Sequence, residues 1–230
     1  MNPYYIYAAV GLLEVTAEVL QMPVLRYISK PLLMPVLLWA YSRSIQVAKD
    51  KTYYLLAAAL LFSFSGDVNL MFEYVHPAFF LLGLGSFLIT HILYIDIFRR
   101  TMNGDPLSAL KQKMPFMAVT VMYCSGLMSY LFPLLGEMTV PVLIYGITIF
   151  SMTFLGILRL NPFSDRPARI TLLGAILFVL SDSCIAINKF GFNGKMPGSA
   201  VTIMTLYITA QFFLVKGISM YQLREESSKR

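Results

Sequence analysis

Six ionisable side chains stand in stretches of sequence that are otherwise apolar: Glu14, Glu18, Asp67, His91, Asp182 and Lys216. At bilayer depth each such group costs about 2.5–3.5 kcal/mol or more, so it needs a partner or marks a site. Asp67 and Asp182 have the chemistry of an acid–base pair, in which one carboxyl donates a proton and the other bears charge. Each lies about five or six residues from the same-side end of its apolar run, which places both roughly 8–9 Å below the helix ends at 1.5 Å per residue. Two carboxyls at one depth on different helices are able to meet across a bundle. The plainer alternative is that each is paired separately with a Lys or a buried amide.

Gly83, Phe87, His91 and Tyr94 follow one another at i, i+4, i+8 and i+11, one face of a helix. In lipid that face turns inward, where His91 either lines a polar cavity or satisfies an internal network. His91 and Tyr94 are the candidate proton relays. Glu14 and Glu18 are one turn apart on a shared face. Lys30 stands at a helix start at the same level, where its charge opposes the macrodipole. It requires an acidic neighbour, Glu18 or Asp67, or an anionic ligand such as phosphate. Lys189 occupies a matching outer position. Lys30, Lys189, Glu14, Glu18 and Gln211 are therefore the candidate substrate-binding residues. Lys216 lies near the opposite helix end, where its stem is able to snorkel to water. Cys124 and Cys184 both fall in apolar segments, so neither a disulfide nor a metal site is expected. Gly-x-Ser-x-Gly, His-Glu-x-x-His and Walker A motifs are absent. No cofactor is expected.

The elements that must hold these groups follow from composition. The chain has 230 residues, 57% hydrophobic and only 13% charged, with mean hydropathy +0.68. A soluble domain carries about 25% charged residues, so this is an integral membrane protein with no room for a separate nucleotide-binding domain. The net charge of +6 does not indicate nucleic acid, because the basic residues sit in short loops between apolar runs. Eight runs approach the about 20 residues that a span needs, at 4–20, 30–47, 53–72, 78–98, 115–135, 139–158, 169–188 and 199–220. They are continuously apolar rather than alternating, which favours helices over barrel strands. The expectation is an all-α membrane protein, a single transmembrane domain over 1–230 with eight helices running up and down.

Turn signals support these boundaries. Pro31 and Pro77 suit first-turn positions, Gly136, Gly191, Gly194 and Gly198 punctuate one set of loops, and Asn103-Gly104-Asp105-Pro106 marks a turn on the other side. The segments Phe62–Asp67 and Phe178–Asp182, with Phe87–His91 and Tyr207–Gln211, match after a one-residue gap. Four helices separate the copies, so the halves read as two parallel four-helix repeats. Of the 18 Lys and Arg, 13 fall on the side of the termini and 4 on the other, with Lys216 inside the last helix. The basic bias predicts cytoplasmic termini in a bacterial inner membrane. The N-terminal stretch lacks a basic region and a small-residue cleavage site, so the first run reads as a retained helix.

Ser29-Lys30-Pro31-Leu32, Phe62-Ser-Phe-Ser-Gly66-Asp67 and the run from Phe80 through Gly83, Gly85, Thr90 and His91 to Tyr94 resemble the YhhN family of membrane proteins. Phe178-Val-Leu-Ser181-Asp182, Asn188-Lys189-Phe190 and Tyr207-Ile-Thr-Ala210-Gln211 resemble its second-half motifs. The resemblance spans helices 2 to 8 and rests on the ordered set of motifs. It implies eight helices. It also implies an activity like that of the mammalian lysoplasmalogenases, which hydrolyse the vinyl ether bond of lysoplasmalogens to a fatty aldehyde and a glycerophospho-base. The implied partners are a lysophospholipid substrate and membrane lipid.

Vinyl ether hydrolysis begins with protonation of an alkenyl carbon, giving an oxocarbenium ion like that of the glycosidases, where two carboxyls divide the work. Asp67 and Asp182 supply those carboxyls, with either one as the acid. Lys30 and Lys189 would hold the phosphate. A proton-coupled transporter and a non-catalytic lipid-binding or sensing protein are the alternatives. A parallel repeat with acids at depth would also suit the transporter.

Overall fold

A computed structural model describes residues 3–45, 49–102, 110–160 and 166–229. Among them the chain forms eight α-helices: α1 (Tyr4–Val19), α2 (Pro23–Ser44), α3 (Lys51–Met71), α4 (Ala78–Arg100), α5 (Leu110–Leu131), α6 (Thr139–Leu158), α7 (Arg166–Ala186) and α8 (Ser199–Lys229). Two short 3₁₀ turns link α5 to α6, and a π-turn over Ile187–Gly191 prolongs α7. The helices alternate in direction. Loops 20–22, 72–77, 132–138 and 192–198 therefore gather at the end of the bundle opposite the two termini, called here the far end.

Six of these helices are long and apolar enough to cross a membrane: α3, α4, α5, α6, α7 and α8. The expectation was eight. α1 has only 16 residues, about 24 Å at 1.5 Å per residue, and contains Glu14 and Glu18. α2 is diluted by Arg26, Lys30 and Arg43 and by three prolines. It also starts seven residues earlier than its expected boundary at 30, with Pro23 in its first turn. Pro31 and Pro35 consequently lie inside the helix, not at its start, and membrane helices tolerate such prolines when neighbours satisfy the freed backbone groups. Pro77 is the residue that caps α4, next to its expected place. The turn at 103–106 lies outside the described residues.

α3 packs against α4 and α7 against α8 through positions with no side chain. A Cβ at Gly66 would lie 2.6 Å from the Phe87 ring. One at Gly174 would lie 2.7 Å from the Leu214 nitrogen and 2.9 Å from the Ala210 carbonyl. Lipid offers no hydrophobic drive for helices to associate, so close backbone approach at small residues supplies van der Waals contact instead. Leu33, Leu37, Leu56, Phe98 and Phe178 are fully buried at the centre. α5 is peripheral, with little of its apolar span covered by protein. Nearer the termini, Tyr41 donates to Gln222 at 2.7 Å and Gln222 to Asp50 at 2.8 Å, and Asp50 caps α3 by accepting from the Tyr53 amide at 2.9 Å. Lys216 rests over the Tyr4 ring, 5.1 Å from its centroid.

Candidate active site

Asp182 lies on α7 five residues before the π-turn. Such turns recur at functional sites because they shift the helix register locally. Its carboxylate Oδ2 accepts a hydrogen bond from the Tyr145 hydroxyl of α6. That hydroxyl also lies 2.9 Å from His91 Nε2 of α4, and His91 Nε2 is 3.4 Å from the same Oδ2. The other ring nitrogen of His91, Nδ1, is buried with no hydrogen-bond partner among the described residues. His91 is fully buried, whereas 12% of the Asp182 side chain is exposed.

Asp67, on α3, is 3% exposed and accepts from the Tyr207 hydroxyl of α8 at 2.7 Å. A second polar chain adjoins it. Tyr94 donates to Gln211 Oε1 at 2.7 Å and Gln211 Nε2 donates to Ser63 at 3.0 Å, and Ser63 and Gln211 lie one turn from Asp67 on α3 and from Tyr207 on α8. The expected face of α4 does turn inward, with Gly83, Phe87, His91 and Tyr94 all buried. Its two polar members part company: His91 stands beside Asp182, and Tyr94 joins the Gln211 network next to Asp67. No hydrogen bond joins the two aspartates among the described residues; each has its own tyrosine, and neither is bonded to a Lys or an amide. The two groups flank Phe178, whose ring is 4.7 Å from His91 and 5.5 Å from Tyr207, both edge-on.

Above Asp182, at the far end, opens a vestibule of about 640 Å³ lined by Arg26, Lys30, Lys189, Glu18, Glu73 and Asn188, among others. It brings both expected rim lysines into one space. Lys189 is paired with Glu73 at 3.0 Å and sits 3.9 Å over the Phe80 ring. Glu18 is taken by Arg26 at 2.9 Å, so Lys30 has no ion pair or hydrogen bond among the described residues, and neither structural partner expected for it is in contact. Leu70, Ile185 and Phe190 belong both to the vestibule wall and to a narrow apolar groove that runs down to Tyr145 and Asp182. Glu14 is elsewhere. It is fully buried between α1 and α2, where Oε2 accepts from Ser29 at 2.5 Å and Oε1 has no partner among the described residues.

Tyr145 and Arg26 escape a reading of the sequence as site residues, and Tyr207 enters it only as part of the repeat and a family motif. A tyrosine inside an apolar run gives no polar signal, and nothing local distinguishes Tyr145 from the other 13. Arg26 was hidden by the misplaced start of α2; Pro23, a first-turn residue, was the available clue. No group of three or more His, Cys, Asp or Glu able to hold a metal ion is gathered among the described residues.

The sequence profile of the YhhN family matches residues 25–218. The chain belongs to the YhhN family. Within it, the protein is 30% identical over 192 residues to a lysoplasmalogenase of Mycobacterium tuberculosis, a match covering 80% of this chain and 67% of that protein. It is 29% identical over 160 residues to human lysoplasmalogenase TMEM86B, covering 70% of this chain and 61% of the relative. It is 32% identical over 170 residues to human lysoplasmalogenase TMEM86A, covering 72% and 65%. No solved structure matches the chain. Every residue of both aspartate clusters lies within the matched YhhN region.

Proposed function

We propose that this YhhN protein is a membrane-embedded hydrolase that cleaves the vinyl ether bond of lysoplasmalogen-type lysophospholipids. The observation that carries the reading is a basic vestibule that shares Leu70, Ile185 and Phe190 with a neighbouring apolar groove lined also by the Asp182 carboxyl. The vestibule suits the anionic glycerophospho-base, and the groove suits the alkenyl carbons attached to it. Relatives from bacteria and mammals bear the name lysoplasmalogenase.

In this reading a carboxylic acid gives its proton to the alkenyl carbon remote from the ether oxygen. The double-bond electrons form the new C–H bond, and positive charge spreads over the adjacent carbon and the oxygen. Water adds to that carbon and loses a proton, giving a hemiacetal. The hemiacetal collapses by breaking its bond to the glycerol oxygen, which takes up a proton. One water is consumed, and an aldehyde and a free glycerol hydroxyl result. Asp182, the carboxyl at the groove, is the one that meets the lipid. Tyr145 and His91 orient it and carry protons. Asp67, held by Tyr207, supplies the second negative charge that favours the cation in a water-poor site. Lys30, unpaired, and Arg26 and Lys189 beside it, hold the phosphate. All eight helices cross the bilayer in this arrangement, as two parallel repeats, with cytoplasmic termini and the vestibule on the opposite face.

The test is direct. Purified protein in detergent is mixed with a lysoplasmalogen, and aldehyde release is measured. Aldehyde with free glycerophospho-base supports the reading. Its absence with a folded protein, or uptake that requires sealed vesicles and a gradient, rejects it in favour of transport.

A further inference from the structure

A second apolar groove reaches Asp182 from the side away from α3. Its walls include Leu127 and Met128 of α5, Gly146 and Ile149 of α6, and Val179 of α7. The two grooves share Val142, Tyr145, Asp182 and Ala186. The vestibule, the first groove and the second therefore form a series in which each space shares a wall with the next, and the Asp182 carboxylate stands where the two grooves join. We propose that the second groove holds the hydrocarbon chain of a single-chain lipid with an anionic head group. The lipid threads from the vestibule past Asp182 and out between α5 and α7 toward the bilayer. This rests on the hydrolase reading for the chemistry performed, and on the arrangement of the spaces for the path.

Three features support that occupant. The first is charge: Arg26, Lys30 and Lys189 lie at one end of the series and apolar side chains at the other, the polarity of a lysophospholipid. The second is length. In a glycerophospholipid six bonds separate the phosphorus from the first carbon of the sn-1 chain, a span of roughly 7 Å when extended, similar to the drop of roughly 8–9 Å estimated from helix rise between the far end and the aspartates. A head group in the vestibule thus puts the ether bond at Asp182 and leaves the chain to lie beyond it. The third is the wall itself. The second groove is slim, about 40 Å³, but one side is the peripheral α5, which presents Met128, an unbranched and adaptable side chain. Gly146 stands opposite: a Cβ there would lie 3.7 Å from the Met128 sulfur, so any larger side chain narrows the passage. Outside α5 the solvent is lipid, and a chain leaving the groove stays in hydrocarbon throughout.

A photoreactive probe tests the path without requiring turnover. The probe is a lysophospholipid with a saturated, uncleavable sn-1 ether chain bearing a diazirine near its tip. It is added to the full-length protein in nanodiscs, irradiated, and the adducts are mapped by mass spectrometry with and without excess unlabelled lipid. Competable adducts on Leu127–Leu131 or Ile149–Phe150 are expected. Competable adducts on α1, α2 or α8, or no competable adduct, overturn the path. Aldehyde release from lysoplasmalogen is measured in parallel. Labelling of the groove with no aldehyde rejects the hydrolase and leaves the path standing; aldehyde with labelling elsewhere rejects the path alone. Gly146→Leu supplies a second readout. It should lower the preference for long over short chains by about tenfold or more in kcat/KM, the usual scale for steric discrimination in an apolar pocket. An unchanged preference in a folded variant counts against the groove.

Discussion

Asp182 on α7 accepts a hydrogen bond from Tyr145 on α6, and the same hydroxyl faces His91 on α4. Three helices are thus joined at one oxygen. The carboxyl at the groove has its Oδ2 occupied, and in the proposed mechanism the other oxygen meets the substrate. Tyr145→Phe keeps the ring and removes the link. A hydrogen bond to a charged group contributes about 1.5–3 kcal/mol, so kcat should fall by about 10–10² with KM little changed. A purely structural tyrosine would show itself differently, through a lower melting temperature with kcat per folded molecule preserved.

The vestibule lysines should separate in their effects. Lys30 is unpaired among the described residues, so Lys30→Ala should raise KM more than it lowers kcat, the signature of lost ground-state binding. Lys189 is shared between Glu73 and the Phe80 ring. Glu73→Gln frees it and should lower KM for an anionic lipid. Steady-state kinetics on both variants, with head groups of different charge, checks the pair. A higher KM in Glu73→Gln would show that the ion pair positions Lys189 rather than competing for it.

Much of this arrangement was written in the sequence, and the gaps have physical causes. Asp67, His91 and Asp182 were legible because ionisable groups at bilayer depth are costly and rare. Lys30 and Lys189 were legible as the basic residues bordering those runs. Their tyrosine partners were not, since Tyr145 and Tyr207 look like packing residues until the helices are assembled. Helix boundaries followed the apolar runs within about three residues except at α2, at α5, which spans Leu110–Leu131 rather than 115–135, and at α8, which continues past 220 to Lys229. In α2, Arg26, Ser29 and Lys30 resemble a polar loop, yet the helix continues through them because they face the vestibule or Glu14. The π-turn after α7 was also invisible: nothing in Ile187-Asn-Lys-Phe-Gly191 marks a change of helical register.

The asymmetry of Lys and Arg predicts that the end carrying the termini faces the cytoplasm. A reporter active only in the periplasm, fused after Arg230, should stay silent, and a cytoplasm-active reporter should be bright. A fusion in the loop at 193–197 should give the opposite pattern. The reverse result would place the vestibule on the cytoplasmic side, and the head group would then be captured from the inner leaflet.

The two aspartates carry the sharpest test. Asp→Asn preserves size but removes both the acidic proton and the charge. Asp67→Asn and Asp182→Asn should each lower kcat by about 10²–10⁴, the range for an acid–base group. Their positions predict a further contrast. Asp182 stands at the groove, so its variant should lose turnover while still binding the uncleavable ether lipid. Asp67 is enclosed with Tyr207 and the Gln211 network, so Tyr207→Phe should reproduce part of the Asp67→Asn loss. If the two carboxyls act as one unit, the double variant should cost little more than the worse single one, because residues that work together are not additive. Losses that multiply would mean the aspartates serve separate steps, and full activity in either folded single variant would reject the two-acid mechanism. Size exclusion and thermal unfolding of every variant establish that the lost turnover belongs to chemistry rather than to an unfolded bundle.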